Sequence, residues 1–338
     1  MAADILCTVP LPGRFAERID GVASVRVIGR LQTRDELAGL LGASPCDVLC
    51  PQLQERIDGA VLDAGAPRLR CVSLFAVGFD NVDIAAATAR GIVVGHTPGV
   101  LTDATADCAM GLILAAARRL CEGDREVRAG RWGGWAPSYM LGLQVTGARL
   151  GLVGFGRIGQ AVARRALGFA MQVSFADPTS PEVPEDLRAQ VREVAFEQLL
   201  AESDVISLHT PLSAVTRHLI GEPQLRAMRS TAILVNTSRG AVIDEPALVR
   251  ALQEGWVGGA GLDVYENEPA LAPGLTECPT VVLAPHLGSA TVQTRDAMAE
   301  LTADNALDAL RGTVPRRCVN PDAWAAAAPA PLLGEPGA

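Results

Sequence analysis

Apolar runs alternate with segments of helical periodicity over the second half of the chain, from Arg149 onward. The segment ARLGLVGF is a short apolar run that ends in glycines, and RIGQAVARRALGF follows it with Ile158, Val162, Ala166 and Phe169 spaced three or four residues apart. The alternation continues as far as TVVLAP. Because these runs are apolar on both faces, they predict strands of a parallel sheet that is covered by helices on both sides.

The first hundred residues repeat this pattern less clearly, with predicted strands in DILCTVP, CDVLCP, LRCVSLF and GIVVGH. The predicted fold class is therefore α/β, with two Rossmann-like, doubly wound parallel-sheet domains. The helical segment that follows Ser289 is too short for a domain, so we expect it to pack on the N-terminal unit. The predicted domains are residues 1–98 with 289–320, which form a discontinuous domain, and residues 99–288. Residues 321–338 are rich in Ala and Pro and are predicted to be a loose tail.

Between the two predicted domains lies a long helical segment, Val100 to Leu120, that is apolar on almost every side. This pattern is typical of a helix buried between domains or subunits. The next segment, RAGRWGGWAPSYMLG, has no periodicity and carries Trp132 and Trp135 in a glycine-rich stretch. It is either an arm that packs on a partner or a surface loop covered by its own chain. We expect a homodimer in which this helix and the arm are buried between subunits.

The overall charge of the chain narrows the classes of partner. Twenty-nine Lys and Arg against 38 Asp and Glu give a net charge of −9, which argues against binding to a nucleic acid backbone. No uncharged apolar run reaches the ~18 residues of a membrane span, and the N-terminus lacks the pattern of a secretion signal. The eight cysteines include no CxxC pair. We therefore expect a cytoplasmic protein with reduced thiols and no metal site.

The segment LVGFGRIGQ places Gly154, Gly156 and Gly159 in GxGxxG spacing. It follows a predicted strand and opens a predicted helix, and Asp177 ends the next strand 18 residues after Gly159. In this motif the glycines allow a tight turn, a close approach to a pyrophosphate and close packing of helix on strand. The acid at the end of the second strand accepts hydrogen bonds from the ribose hydroxyls. The spacing and its context predict a dinucleotide site.

Other chemically capable side chains follow the predicted strands of the same sheet. His209 and His286 each end a strand, and the sequence pattern alone does not choose between them. Arg239 also lies just past a strand, where a guanidinium suits a carboxylate substrate. Asp263 and Glu268 follow a further strand. Ligands collect at the carboxyl ends of parallel strands, so we expect these residues to share one rim of the sheet.

The chain resembles the D-isomer-specific 2-hydroxyacid dehydrogenases from Asp4 to about Val319. The resemblance rests on seven segments, which are VGFDNVD, TPGVLTDATAD, GLVGFGRIGQAVARRA, LHTPLS, LVNTSRGAVIDEPAL, GLDVYENEP and PHLGSAT. Within the family, LTDATAD, RWGGW and RRALGFAMQV are most similar to the glyoxylate/hydroxypyruvate reductase branch. The resemblance implies that residues 99–288 form an NAD-binding Rossmann domain and that the discontinuous domain binds the substrate.

This resemblance assigns roles to three residues in the reaction. Arg239 would clamp the substrate carboxylate and keto oxygen, His286 would be the acid/base, and Glu268 would pair with that histidine. The backbone amides of Val77 and Gly78 would bind the substrate carboxylate. The cofactor would contact Thr102, Gly154, Gly156, Arg157, Ile158, Gly159, Asp177, His209, Thr210, Pro211, Thr237, Ser238, Asp263 and Gly288.

Several details refine this expectation. Asp263 would hold the nicotinamide carboxamide. Glu266 matches no functional position and is expected to face solvent, as is His218 in its polar surroundings. His96 stands where the family usually has Asn, so it bears on fine substrate preference. The resemblance implies the reduction of glyoxylate or hydroxypyruvate. The expected cofactor is NADH, because Asp177 would repel the 2′-phosphate of NADPH and no basic residue follows it in PTS (178–180).

Three other interpretations compete with this one. Some relatives of this fold are NAD-binding transcriptional corepressors, and the catalytic triad alone does not distinguish them. The acidity of the chain and its lack of an extended basic tail argue against that role. A second alternative is a dehydrogenase for a larger 2-keto acid. The third, formate dehydrogenase, carries Gln at the position of Glu268 and is therefore disfavoured.

Overall fold

The computed structural model describes residues 3–327 and 330–334. The chain divides into two compact units, Met1–Leu101 with Thr291–Ala338 and Thr102–Ala290. Each unit contains a parallel sheet with helices, which confirms the predicted fold class and the discontinuous first unit. The roles assigned to the two predicted domains, and their boundaries, stay predictions. Within the described residues, no helix is long and apolar enough to cross a membrane.

The first unit is built on a parallel sheet with the strand order β2-β1-β3-β4-β5. Its strands are β1 Asp4–Cys7, β2 Ser24–Val27, β3 Val48–Cys50, β4 Cys71–Ser73 and β5 Val93–Gly95. Its helices are α1 Gly13–Ile19, α2 Arg34–Ala43, α3 Gly59–Gly65, α4 Ile84–Ala89, α12 Val292–Leu310 and α13 Asp322–Ala327.

Helix α12 belongs to this first unit, as the sequence predicted. The hydroxyl of Ser73, in β4, donates to the carbonyl of Thr302 at 2.8 Å. The expectation of a loose tail from residue 321 is wrong for its first part. Residues Asp322–Ala327 form α13, because burial of Ala323 and Trp324 stabilises this short helix. Residues 328–329 and 335–338 lie outside the described residues.

The second unit has a parallel sheet with the order β12-β11-β10-β9-β6-β7-β8. Its strands are β6 Arg149–Val153, β7 Gln172–Ala176, β8 Val191–Glu193, β9 Val205–Leu208, β10 Ile233–Asn236, β11 Gly259–Leu262 and β12 Val281–Leu283. Its helices are α5 Thr102–Ala117, α6 Leu120–Arg128, α7 Arg157–Gly168, α8 Glu185–Arg188, α9 Phe196–Glu202, α10 Glu222–Ala227 and α11 Glu245–Gln253.

The strand order of this sheet reverses direction between β6 and β9. From β6 the chain adds β7 and β8 on one side, and from β9 it adds β10, β11 and β12 on the other. The loops after β6 and β9 therefore diverge and leave a crevice at the carboxyl end of the sheet, where open α/β sheets bind ligands.

The long apolar helix expected over residues 100–120 is shorter than predicted. It ends at Ala117, and Arg119 adopts a left-handed backbone conformation (φ 55°) before α6 begins. The arm, defined as residues 131–140 (RWGGWAPSYM), contains neither helix nor strand, in agreement with its lack of periodicity. Trp135 is 83% exposed, so its own chain does not cover it.

Candidate active site

The predicted site residues of the second unit follow parallel strands whose carboxyl ends are in register at one edge of the sheet. Val153 pairs with Ala176 and with Leu208, and the register continues across β10, β11 and β12. The segments that follow these strands therefore begin along one edge of the sheet. They contain Gly154, Asp177, His209, Thr237, Ser238, Arg239, Asp263 and His286.

The glycine-rich loop after β6 has the geometry of a phosphate cradle. Gly154 has φ 91°, and a Cβ at this position would lie 2.7 Å from the carbonyl oxygen of His209. A Cβ on Gly156, by contrast, would point into open space. Helix α7 begins at the next residue without a side-chain cap, so the backbone N–H groups of Arg157 and Ile158 in its first turn are available to an anion.

Asp177 is held rigidly at the end of β7. One carboxylate oxygen accepts a hydrogen bond from the Phe155 amide at 2.8 Å, and the other accepts from the amide and hydroxyl of Thr179 at 2.9 and 2.7 Å. Burial raises the pKa of Asp177, but these three hydrogen bonds outweigh it and hold the pKa below its usual range. The carboxylate is therefore ionised and fixed beside the glycine loop.

Two buried polar atoms beside this crevice have no hydrogen-bond partner among the described residues, Nδ1 of His209 and Oγ1 of Thr237. Nε2 of His209 lies 2.9 Å from the hydroxyl of Ser207, and burial lowers the pKa of His209 to about 4, so its ring is neutral. Buried polar groups are normally paired. Together with the open space at Gly156, these two atoms fit a dinucleotide in the crevice.

His286 and Glu268 form a direct pair in the second unit. Nδ1 of His286 lies 2.9 Å from Oε2 of Glu268, and Oε1 of Glu268 accepts a hydrogen bond from the Tyr265 amide at 3.1 Å. Burial raises the pKa of Glu268, but the hydrogen bond and charge of His286, the Tyr265 amide and the charge of Arg239 together hold it below its usual range. The carboxylate orients the ring and leaves Nε2 as the atom that can exchange a proton with a substrate.

Asp263 anchors the backbone around His286. It is 1% exposed, and its two carboxylate oxygens accept hydrogen bonds from the amides of Leu287 and Gly288 at 2.6 and 2.7 Å. His286 itself has φ 56°, in the left-handed region that non-glycine residues rarely adopt. Burial, the largest influence, raises the pKa of Asp263. The residue therefore holds the strained turn that carries the acid/base candidate.

The loop that carries Arg239 is fixed by Asn236 at the end of β10. The Asn236 side chain accepts a hydrogen bond from the Ser238 amide at 2.9 Å and donates to the Arg239 carbonyl at 2.8 Å. A Cβ on Gly240 would overlap the backbone of Tyr265, so the loops that carry Arg239 and Glu268 pack directly against each other. The structure thus brings Arg239, Glu268 and His286 to one end of the sheet.

The remaining predicted residues lie at three further places. Thr102 is the first residue of α5, and Gly288 packs near Thr105 of that helix. Thr210 and Pro211 follow β9 together with His209. Val77 and Gly78 lie in the first unit, in the loop after β4, where Nδ1 of His96 is 2.9 Å from the Val77 carbonyl. His96, which stands where the family usually has Asn, thus contacts the predicted substrate loop.

The expectation that Glu266 and His218 face solvent is wrong for Glu266 and incomplete for His218. The Glu266 side chain is 16% exposed and lies 2.6 Å from Nε2 of His218, with Arg217 at 3.6 Å. The pair forms because residues 48 positions apart in the chain fold onto neighbouring loops.

The sequence pattern also did not reveal two residues that hold the segment around Glu268. Glu245 accepts hydrogen bonds from the amides of Glu266 and Ala272, and the Tyr265 amide donates to Glu268. Such contacts with the backbone leave no motif in the sequence.

The fold and the site define a dinucleotide-binding oxidoreductase. The protein-family model for the "D-isomer specific 2-hydroxyacid dehydrogenase, NAD binding domain" matches residues 110–288. A glyoxylate reductase from Thermococcus litoralis is 50% identical over 288 residues, 84% of this chain and 86% of that protein. The chain therefore belongs to the D-isomer specific 2-hydroxyacid dehydrogenase family, whose members are oxidoreductases that act on CH–OH groups.

Solved structures agree with this assignment. A protein from Thermus thermophilus is 42% identical with a TM-score of 0.85, over 94% of this chain and 99% of that chain. An NADPH-dependent glyoxylate/hydroxypyruvate reductase from Sinorhizobium meliloti, solved with NADP and malonate, is 33% identical with a TM-score of 0.84, over 95% and 98%. The family binds a nicotinamide dinucleotide and acts on small 2-keto or 2-hydroxy acids.

Proposed function

We propose that this protein reduces glyoxylate or hydroxypyruvate to the corresponding 2-hydroxy acid with NADH. The single observation that carries the proposal is the hydrogen bond between His286 and Glu268 at the edge of the sheet, beside the Arg239 loop. The similarity to glyoxylate reductases supports the choice of substrate. The discontinuous first unit would hold the substrate through Val77 and Gly78, and the second unit would hold the cofactor.

The residues of this chain divide the work of the reaction. Arg239 binds the substrate carboxylate and stabilises negative charge as it develops on the keto oxygen. Protonated His286 donates its Nε2 proton to that oxygen, and Glu268 stabilises the charged ring beforehand. Asp263 keeps the His286 turn in place. A nicotinamide dinucleotide held by the glycine loop after β6 and by Asp177 would supply the hydride when bound in its reduced form.

The choice of NADH over NADPH rests on the charge beside the ribose position. Asp177 is an ionised carboxylate, and a 2′-phosphate ~5 Å away at an effective dielectric of ~20 would be repelled by roughly 3 kcal/mol. A second acid, Glu193, accepts a hydrogen bond from the nearby Ser180 hydroxyl at 2.6 Å. Solvent removes part of this repulsion, and the remainder favours NADH by roughly 30- to 150-fold. The relative from Sinorhizobium meliloti is NADPH-dependent, so the choice of NADH for this chain depends on Asp177 and not on the similarity.

A homodimer is the proposed assembly. Large apolar side chains of α6, the arm and the residue after it are exposed on the isolated chain, which are Leu120, Val127, Trp132, Trp135, Tyr139 and Leu141. Exposed large apolar side chains concentrated in one segment of the chain support a contact with another protein, and a two-fold contact between identical chains is the commonest arrangement.

A panel of 2-keto acids tests the proposed function. Glyoxylate, hydroxypyruvate, pyruvate and phenylpyruvate are compared by kcat/KM at saturating NADH, and the preferred acid is measured again with NADPH. The proposal expects the two smallest polar acids to rank first. A preference for phenylpyruvate would identify a dehydrogenase of larger 2-keto acids, and no turnover with any acid would favour a binding function.

A further inference from the structure

Glu245 is a buried carboxylate in the second unit that has no assigned part in the reaction. It occupies the first turn of α11 and is 4% exposed. Burying a carboxylate is unfavourable unless hydrogen bonds compensate it. Its position at a helix start gives it a rigid base, because the Asp244 side chain caps α11 by accepting a hydrogen bond from the Ala247 amide at 3.0 Å.

The two carboxylate oxygens of Glu245 reach the loop that carries the acid/base partner. Oε1 accepts a hydrogen bond from the Glu266 amide at 2.6 Å, and Oε2 accepts from the Ala272 amide at 3.1 Å. These amides lie on either side of Glu268 in the segment of residues 264–272, named here the Glu268 loop. One side chain therefore fastens the loop at two points, and Glu268 lies between them.

Glu245 lies beside two other acidic residues, Glu266 and Glu268. Burial raises the pKa of Glu245, the negative charges of Glu266 and Glu268 raise it further, and the two amides lower it. From the neighbouring 211–219 segment, His218 and Arg217 contact Glu266. Burial of a carboxylate beside two other acids is unfavourable, and the two hydrogen bonds to the loop backbone compensate for it.

We infer that Glu245 is a positioning residue, which holds the Glu268 loop so that Glu268 keeps its hydrogen bond to His286. The inference rests on the proposed function of the His286–Glu268 pair. A released loop would separate the carboxylate from the ring, and the protonated ring would lose its stabilising partner. Binding of the dinucleotide at the glycine loop after β6 would be unaffected, because that loop has no contact with the Glu268 loop among the described hydrogen bonds.

Three variants separate positioning from general stability. Glu245→Ala removes both hydrogen bonds, and Glu245→Gln keeps one oxygen that can accept. Asp244→Ala is the matched control, since it weakens the start of the same helix without a side-chain contact to the Glu268 loop, and it is expected to lower the Tm by about 2 to 4 °C. Each variant is measured for kcat, for KM of glyoxylate and NADH, for the pH profile of kcat and for Tm.

The expected result is a loss of rate together with a shifted pH profile. In Glu245→Ala, kcat of reduction falls by about 10- to 100-fold, the KM for NADH changes less than about 2-fold, and the alkaline limb of the pH profile moves to lower pH. Glu245→Gln is intermediate. Asp244→Ala has a lower Tm, but the alkaline limb of its pH profile stays in place and its kcat changes by less than about 2-fold.

Two outcomes would overturn the inference. The first is a folded Glu245→Gln or Glu245→Ala enzyme whose alkaline limb stays in place, and the second is an equal shift in Asp244→Ala. Glu268→Gln, run beside them, separates this failure from failure of the proposed function. If Glu268→Gln shifts the limb and the Glu245 variants do not, only the positioning role is wrong. If Glu268→Gln also leaves the limb in place, the acid/base pair itself is wrong, and the inference falls with it.

Discussion

Nδ1 of His286 lies 2.9 Å from Oε2 of Glu268, although the two residues follow different strands, β12 and β11. The contact forms because β11 and β12 pair in parallel register, Leu262 with Leu283, so that the segments after them begin side by side. The backbone at His286 is fixed by its amide, which donates to the Asp263 carbonyl at 2.9 Å. The pair is thus a product of sheet topology, and its chemistry can be tested by substitution.

Glu268→Gln should change the pH dependence of both reaction directions. Reduction needs the protonated ring of His286 and oxidation needs the neutral ring. Without the carboxylate the charged ring is less stable, so reduction should be lost at a lower pH than in the unmodified enzyme and oxidation should persist to a lower pH. The profiles of kcat in both directions measure this change.

Glu266→Gln is the control for that experiment, since it makes the same change in the same loop at an acid that pairs with His218 instead. Its profiles should match those of the unmodified enzyme. Identical profiles for Glu268→Gln and the unmodified enzyme would mean that Glu268 does not stabilise the charged ring.

Asp177→Asn should weaken the preference for NADH. The amide keeps one oxygen, which can accept from Phe155 or from Thr179 but not from both, and it removes the negative charge. The ratio of kcat/KM for NADH over NADPH should therefore fall by about 10-fold or more. Asp35→Asn, at an exposed acid in the first unit, controls for the change in net charge. If the unmodified enzyme already uses NADPH as well as NADH, Asp177 does not face the ribose.

His209 should make the stability of the enzyme depend on pH between about 6.5 and 4. An unfolded histidine binds a proton near pH 6.5, whereas burial lowers the pKa of His209 to about 4. Since the unfolded chain takes up the extra proton in this window, stability is lost as the pH falls, by at most about 3 kcal/mol.

Urea unfolding of the cofactor-free protein at pH 7, 6 and 5 tests this prediction. His209→Gln removes the titrating ring, so its stability should fall less steeply with decreasing pH, by up to ~1.4 kcal/mol per unit. Parallel pH dependences in the two proteins would show that the His209 ring is solvated in the folded state.

Trp135→Ser should weaken the dimer. The side chain is 83% exposed on the isolated chain, and the loss of an aromatic anchor at the centre of an interface commonly costs ~2 kcal/mol or more of binding free energy. Light scattering at micromolar concentration should give twice the mass of the chain for the unmodified protein and a lower mass for the variant. Val215→Ser, at an 84% exposed residue outside the arm, should leave the mass unchanged. A monomeric unmodified protein would contradict the proposed assembly.

The sequence was informative wherever burial imposed a repeating pattern. The central strands appear as apolar runs because both of their faces are covered, and GxGxxG was readable because backbone geometry at Gly154 demands glycine. The edge strands β2 and β8 were missed, because their solvent-exposed residues in SVRV and VRE break the apolar run. The choice of His286 over His209 as acid/base also came from the resemblance and not from the pattern.

Contacts between distant residues could not be predicted from the sequence pattern alone, and the pairing of Glu268 with His286 was expected only from the resemblance. Glu245 meets the amides of Glu266 and Ala272, 21 and 27 residues away, and only the fold brings them together. The pairing of Glu266 with His218 was missed for the same reason, since both residues are polar and such residues are usually exposed.

NADH oxidation at 340 nm with glyoxylate, by the unmodified protein and by His286→Ala, tests the central claim most directly. NADH binding is followed in both proteins by fluorescence. We predict turnover by the unmodified protein and a loss of at least ~100-fold in kcat for the variant, with NADH affinity within about 2-fold. Absence of turnover in the unmodified protein, or an unchanged rate in His286→Ala, would contradict the claim that His286 delivers the proton in keto-acid reduction.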